Sequence, residues 1–114
     1  MQVDFLVASS YGSGMESSGE VRLLYEPASS LAGRHILLVE DIIDSGRTLT
    51  ALTDRLRSRG PKSLSICALL DKRIVPPLPE VRFVGFTAPQ VFLVGYGLDH
   101  AEDFRHLPYI AELA

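Results

Sequence analysis

The alternation of apolar and polar positions marks strands towards both ends of the chain and one helix in its middle. Val3-Asp4-Phe5-Leu6-Val7-Ala8 turns apolar on both faces, the pattern of a strand covered from two sides. Residues 9–19 are rich in Gly and Ser and have no core-facing period, so composition alone reads them as a slack hairpin loop. Within Glu20–Glu26, Val21, Leu23 and Tyr25 share one face of a strand. Pro27 to Gly33 reads as a turn, and Arg34 to Val39 as a second covered strand ending at Glu40-Asp41. From Arg47 to Arg59, Leu49, Leu52 and Leu56 recur at helical spacing, while Asp54, Arg55, Arg57 and Arg59 face outward as solvated charges. Asp44-Ser45-Gly46 supplies N-cap chemistry for that helix, and Gly60-Pro61 stops it.

Leu64, Ile66, Ala68 and Leu70 mark the next strand, which closes at Asp71-Lys72-Arg73. A connection containing Pro76, Pro77 and Pro79 leads to short strands at Val81–Phe86 and Phe92–Val94. His100 to Arg105 predicts one or two helical turns, with His100, Glu102, Asp103 and His106 on a polar face, and Tyr109–Leu113 predicts a last strand. Strand, helix, strand in the middle implies a parallel pair with a right-handed crossover, hence an α/β fold. No repeat is present, and residues 1–114 read as one domain.

Composition narrows the class. The 46% apolar and 22% charged residues are those of an ordinary globular protein, and 114 residues suffice for a single core. A net charge of −3 argues against a broad basic face, so no nucleic-acid partner is expected. Apolar runs such as Ile36–Val39 are far too short to cross a bilayer, and Met1-Gln2-Val3-Asp4 lacks the basic start of a signal peptide. Cys67 stands alone and reads as a small buried apolar residue in a reducing compartment. These features predict a cytoplasmic protein without a membrane partner. The three His residues show no metal-ligand spacing.

The chemistry concentrates in Ile36-Leu37-Leu38-Val39-Glu40-Asp41-Ile42-Ile43-Asp44-Ser45-Gly46-Arg47-Thr48. A hydrophobic strand delivers two adjacent carboxylates to its C-terminal end, where open α/β sheets bind ligands. The loop that follows opens a helix, and the backbone N–H groups there, with the hydroxyls of Ser45 and Thr48, suit a phosphate. Two acids would repel that phosphate unless they touch sugar hydroxyls or a hard cation such as Mg²⁺. A ribose phosphate satisfies both conditions. The bland alternative, solvent-facing charges at a strand end, explains Glu40-Asp41 alone but not the loop beside them.

This run resembles the 5-phosphoribosyl-1-pyrophosphate (PRPP) signature of type I phosphoribosyltransferases. Ser9-Ser10-Tyr11-Gly12, Val39–Asp44, Leu69-Leu70-Asp71-Lys72, Val84-Gly85-Phe86 and Val94–Asp99 look, in that order, like segments of the hypoxanthine(-guanine) phosphoribosyltransferase family. The resemblance implies a parallel sheet flanked by helices, and the following roles. Glu40 and Asp41 would hold the ribose hydroxyls and help organise Mg²⁺, with Ile42 and Ile43 as further nucleotide-binding positions. Asp44 would be the general base for the purine proton. Ser45, Gly46, Arg47 and Thr48 would wrap the 5′-phosphate. Lys72 would donate to the purine 6-oxygen, Phe92 would stack on the purine and the Leu93 backbone would bond its edge. Asp99 would bind a second Mg²⁺, Arg105 would contact pyrophosphate, and Ser10-Tyr11 with the Gly/Ser stretch would close as a lid against water. On base rates alone, Lys72 is a surface lysine after a strand and Phe92 a core residue.

Members of that family carry, ahead of the segment matching Val3-Asp4-Phe5, a helix, a strand and a pyrophosphate-binding loop. The chain is therefore expected to be N-terminally incomplete, with a sheet edge and one face uncovered. The implied activity is Mg²⁺-dependent purine salvage, from PRPP and hypoxanthine or guanine to IMP or GMP and pyrophosphate. The implied assembly is a homo-oligomer, dimer or tetramer. The alternative is a truncated nucleotide-binding module that does not turn over.

Overall fold

A computed structural model describes residues 1–10 and 21–113. In chain order the elements are β1 (Val7–Ser10), β2 (Val21–Tyr25), β3 (His35–Ile43), α1 (Arg47–Arg57), β4 (Ser63–Asp71), β5 (Val81–Thr87), β6 (Leu93–Val94) and β7 (Ala111–Glu112). Strands β3, β4 and β5 form a parallel sheet with β4 in the middle, β1 and β2 form an antiparallel pair, and so do β6 and β7. The predicted parallel pair is β3–β4, with α1 as its crossover.

The core lies where α1 crosses the parallel sheet. Ile43, Leu49, Ile66 and Ala68 form its centre, with Leu38, Leu78 and Val81 packed around them. The helix buries Leu49, Leu52, Thr53 and Leu56, so the three leucines read from spacing are its inner face. Thr53 is tolerated there because its hydroxyl donates to the Leu49 carbonyl at 2.7 Å.

Several expectations are corrected. Strand β1 begins only at Val7 and pairs antiparallel with β2, leaving Val3 and Phe5 exposed before it. A run of apolar residues forms a covered strand only where neighbours exist to pair with it and cover it. Strand β3 does not end at Glu40-Asp41 but continues to Ile43, because its register with β4 holds through Ile43↔Asp71. The backbone ladder tolerates the acids, since Ile42 and Ile43 restore apolar contact beyond them.

Among the described residues α1 is the single helix, and it packs on one face of the parallel sheet. On the far face, Leu37 (56%), Val39 (70%) and Phe83 (57%) stay exposed. Cys67 lies half-buried on β4, between Val39 and Phe83 in the strand register, rather than in the core.

The outward arginines of α1, and Arg59 just beyond its end, are not simply solvated. Arg55 forms a two-pronged pair with Glu26 (3.0 and 2.6 Å), Arg59 reaches Glu26 at 3.7 Å and the Ser29 carbonyl at 2.6 Å, and Arg57 pairs with Glu80. Helical spacing tells which side of a helix faces out, but not which loops run past it.

The helix expected over His100–Arg105 is a tight reversal instead, bridged between His100 and Asp103. Ala101, Glu102 and Phe104 all have positive φ, which no right-handed helix contains. The Asp99 carboxylate takes the Glu102 N–H at 2.7 Å, the bond an N-cap residue makes, but the positive φ values that follow stop a helix from forming. Gly95, with φ of 94°, makes the adjoining turn possible, since a Cβ there would lie 2.0 Å from the Tyr109 carbonyl oxygen. Among the described residues, no helix is long and apolar enough to cross a membrane.

Candidate functional site

A pocket of about 220 Å³ opens where β3 runs into α1, lined by residues 40–46 with Thr48 and Leu49. Its shape follows from a parallel strand that must turn sharply into its crossover helix. Gly46 makes the turn at φ of 80°, and its carbonyl accepts the Thr50 N–H at 2.8 Å to close the first turn of α1. A Cβ on Gly46 would sit 3.1 Å from the Val75 side chain, so the position is restricted in space as well as in φ.

The capping expectation is corrected here. Gly46 itself is the N-cap, and no side chain caps α1. The nearest approach is Ser45 Oγ to the Arg47 N–H at 3.5 Å. No acid occupies the first turn. The helix N-terminus thus turns its positive end and backbone donors towards the pocket, a setting that suits an anion.

Asp44 is engaged by Lys72 rather than by the helix. Lys72 Nζ donates to Asp44 Oδ2 at 3.2 Å, with the lysine side chain 9% exposed and the aspartate 56% exposed. The register of β3 and β4 sets this meeting, because Ile43 stands opposite Asp71 and the Lys72 N–H donates to the Ile43 carbonyl at 3.1 Å. The base-rate reading of Lys72 as a surface residue is therefore wrong. An ammonium this buried needs acceptors, and a carbonyl oxygen of a bound ligand would supply a second one.

Glu40 and Asp41 stand side by side, Glu40 half-buried and Asp41 exposed. The Asp41 N–H approaches Glu40 Oε1 at 3.3 Å, and the Ile42 N–H donates to Asp41 Oδ1 at 2.7 Å. Burial, reinforced by the Asp41 carboxylate, pushes the Glu40 carboxyl up to about 7. A folded-state value above the ordinary 4.5 means that the folded chain keeps a proton the unfolded chain has released. Stability should therefore fall as pH rises from about 4.5 to about 7, and the penalty is complete above that window. Glu40→Gln removes it. The variant is expected to gain about 1 kcal/mol over the parent at pH 8, once solvent screening at this half-buried position is included, and little at pH 5. Thermal melts at the two pH values check this, and an equal offset at both would refute it.

The same acid pair bears on Mg²⁺. Among the described residues, no three His, Cys, Asp or Glu side chains converge as a metal cage. A Mg²⁺ ion carried largely by substrate oxygens needs only one or two carboxylates, and Glu40 with Asp41 fits that donor set. The Glu40 carboxyl, half-buried beside the Asp41 carboxylate, marks a place where negative charge is crowded and a cation would relieve it.

The remaining expected residues form a second group in the C-terminal segment. Phe92 is half exposed, not core, and its ring meets His100 edge-on at 5.1 Å between centroids. Leu93 pairs with Glu112 in β6–β7. Asp99 and Arg105 meet one another at 3.4 Å. The lining of the pocket includes none of these four. Ser10 is the last residue of β1, and Tyr11 with the rest of the expected lid lies outside the described residues. The sequence reading missed Leu49 in the lining and the buried Asp71 beside Lys72. An acid at the C-terminal edge of a parallel strand was the available signal for Asp71.

A parallel sheet, a crossover helix and an anion-ready turn behind two acids define an α/β protein with a phosphate-type site at the C-terminal edge of its sheet. The family model for the phosphoribosyl transferase domain matches residues 1–101, and the chain belongs to that family. Within it, the sequence groups with the hypoxanthine phosphoribosyltransferases, as the resemblance implied. The chain is 50% identical to the hypoxanthine phosphoribosyltransferase of Escherichia coli K12, over 98% of this chain and 64% of that protein. A Staphylococcus aureus hypoxanthine phosphoribosyltransferase crystal structure superposes with a TM-score of 0.87 at 44% identity, covering 97% of this chain and 61% of the other. A Bacillus anthracis hypoxanthine-guanine phosphoribosyltransferase with HEPES in its active site gives 0.84 at 45%, covering 97% and 66%. The chain thus spans about 64% of the length of the curated relatives it matches.

Proposed function

We propose that the chain acts, as a single domain over residues 1–114, in transferring a 5-phosphoribosyl group from PRPP to hypoxanthine or guanine. The products are IMP or GMP and pyrophosphate. The observation that carries this reading is the buried Lys72 ammonium, 3.2 Å from the Asp44 carboxylate at the mouth of an uncapped helix N-terminus. That arrangement sets a hydrogen-bond donor, a proton acceptor and a phosphate cradle side by side.

Each residue then has a distinct task. The turn Asp44-Ser45-Gly46-Arg47-Thr48 holds the 5′-phosphate through backbone N–H groups and hydroxyls. Glu40 and Asp41 accept from the ribose hydroxyls. The purine N9 bonds to ribose C1′ as the bond from C1′ to pyrophosphate oxygen breaks, and a ring proton passes to Asp44. Lys72 donates to the 6-oxygen, a bond that the 6-amino group of adenine cannot accept. Phe92 stacks on the purine and the Leu93 backbone bonds its edge. Asp99 and Arg105 serve the pyrophosphate end, where their mutual pair opens to a metal ion and an anion, and Ser10 with Tyr11 belongs to the segment that excludes water. Mg²⁺ held by Glu40 and Asp41, and a second Mg²⁺ held by Asp99, each together with substrate oxygens, would neutralise the leaving pyrophosphate. A cytoplasmic dimer or tetramer, with neither nucleic-acid nor membrane partner, completes the reading.

The test is nucleoside monophosphate formation from PRPP with hypoxanthine, guanine, xanthine or adenine, with and without Mg²⁺. The expected result is Mg²⁺-dependent product from the 6-oxo purines and at least about a 100-fold lower rate with adenine. A folded chain that binds IMP but forms no product would instead make it a binding module.

A further inference from the structure

We infer that Asp71 is a positioning residue for Lys72: its buried carboxylate pins the backbone turn that holds the lysine ammonium against Asp44. The inference rests on the reading of Lys72 as the donor to the purine 6-oxygen.

Asp71 is 6% exposed, yet among the described residues no cation pairs with it. A buried carboxylate without a counter-charge is costly unless hydrogen bonds replace the lost water. Its carboxylate Oδ1 accepts the Arg73 N–H at 2.8 Å, the hydrogen bond the structure gives it. Arg73 has φ of 54°, a conformation a branched-chain or long L residue adopts only when something holds it. The carboxylate therefore closes a loop across Lys72, from the residue before it to the residue after.

The backbone around Lys72 is fixed on its other sides too. Its own N–H donates to the Ile43 carbonyl at 3.1 Å, and the Asp71 carbonyl accepts the Ala88 N–H at 2.8 Å. Strand β3 and the chain beyond β5 thus hold the end of β4 laterally, while the Asp71 side chain sets the direction in which the chain leaves it. Without that bond Arg73 relaxes to negative φ, the following peptide rotates, and the flexible lysine stem samples rotamers that leave Asp44. The stem has four rotatable bonds, so its ammonium stays in one place only if the backbone does. An apolar residue at position 71 would fill the space but would not hold the Arg73 N–H.

Parent, Asp71→Ala and Asp71→Asn chains are compared in transfer assays that vary hypoxanthine and PRPP separately. Amide exchange at Arg73 is followed by NMR in the same three chains. Asp71→Ala is expected to raise KM for hypoxanthine about tenfold and leave KM for PRPP within about threefold. Asp71→Asn keeps an acceptor oxygen and is expected to stay within about threefold of the parent on both. A general loosening of the fold would move both constants together. An unchanged hypoxanthine KM in Asp71→Ala, or Asp71→Asn as impaired as Asp71→Ala, overturns the inference. If the parent chain forms no product, the functional reading fails and the exchange data decide the positioning role. Arg73 exchange about tenfold faster in Asp71→Ala than in the other two chains sustains it, and equal rates overturn it.

Discussion

Asp44→Asn is expected to slow nucleoside monophosphate formation by about 10²–10⁴-fold, the range for loss of a positioned general base. Asparagine is the sharper substitution because it keeps the size of the side chain and an acceptor oxygen for Lys72, whose side chain is only 9% exposed. Alanine would leave that ammonium without its carboxylate and confound a catalytic loss with a folding loss. The cradle formed by Ser45, Gly46 and Thr48 is untouched by the change, so IMP should still bind. The measurements are single-turnover product formation and IMP titration on the same preparation. A rate within threefold of the parent at pH 7 would remove Asp44 from the proposed chemistry. Lost IMP binding would instead give Asp44 a structural role in the cradle.

The second large effect concerns stability. Glu80, in the turn just before β5, keeps its side chain 6% exposed and pairs with Arg57 on the last turn of α1. Arg57→Ala leaves that carboxylate buried and unpaired. Breaking a buried pair costs about 3–5 kcal/mol, and because Arg57 is itself half exposed the expected loss is nearer 2 kcal/mol. For a chain of this size that lowers Tm by roughly 10 °C. Adding Glu80→Gln removes the stranded charge and should recover most of the loss. Thermal melts of the single and double variants check this, and a Tm change under about 2 °C in Arg57→Ala would show that water already screens Glu80. The backbone carbonyl of Glu80 also accepts the Ile66 N–H at 2.8 Å, so the pair anchors the helix directly over the middle strand.

Local chemistry was legible wherever one stretch of chain contained the whole cause. The leucine spacing of α1, the parallel β3–α1–β4 unit and the acid-acid-loop-helix run all depend on residues within about one element of each other. Long-range causes were illegible. Arg55, Arg57 and Arg59 read as solvated because nothing in the helix names Glu26 or Glu80 as partners. His100–Arg105 read as helical because its polar pattern fits, while Ala101, Glu102 and Phe104 take positive φ in a tight reversal that a polar pattern does not announce. Val3–Ala8 read as a covered strand because apolarity reports what a segment prefers, not whether a neighbour is present.

The site divides along the same line. The residues that can cradle a phosphate are consecutive, so Glu40, Asp41 and Asp44–Thr48 could be identified as a unit from the chain alone. The partner of Asp44 could not. Lys72 reaches it because the register Ile43↔Asp71 brings two strand ends side by side, and because a buried ammonium needs an acceptor. Burial also raises the Glu40 carboxyl to about 7, a property that neither residue of the acid pair has in an unfolded chain. The order of residues suffices to say which groups this protein carries to the C-terminal edge of its sheet. Which of them meet, and which is held protonated, comes from folding, because both depend on distance and on lost solvent, and a linear order of residues specifies neither.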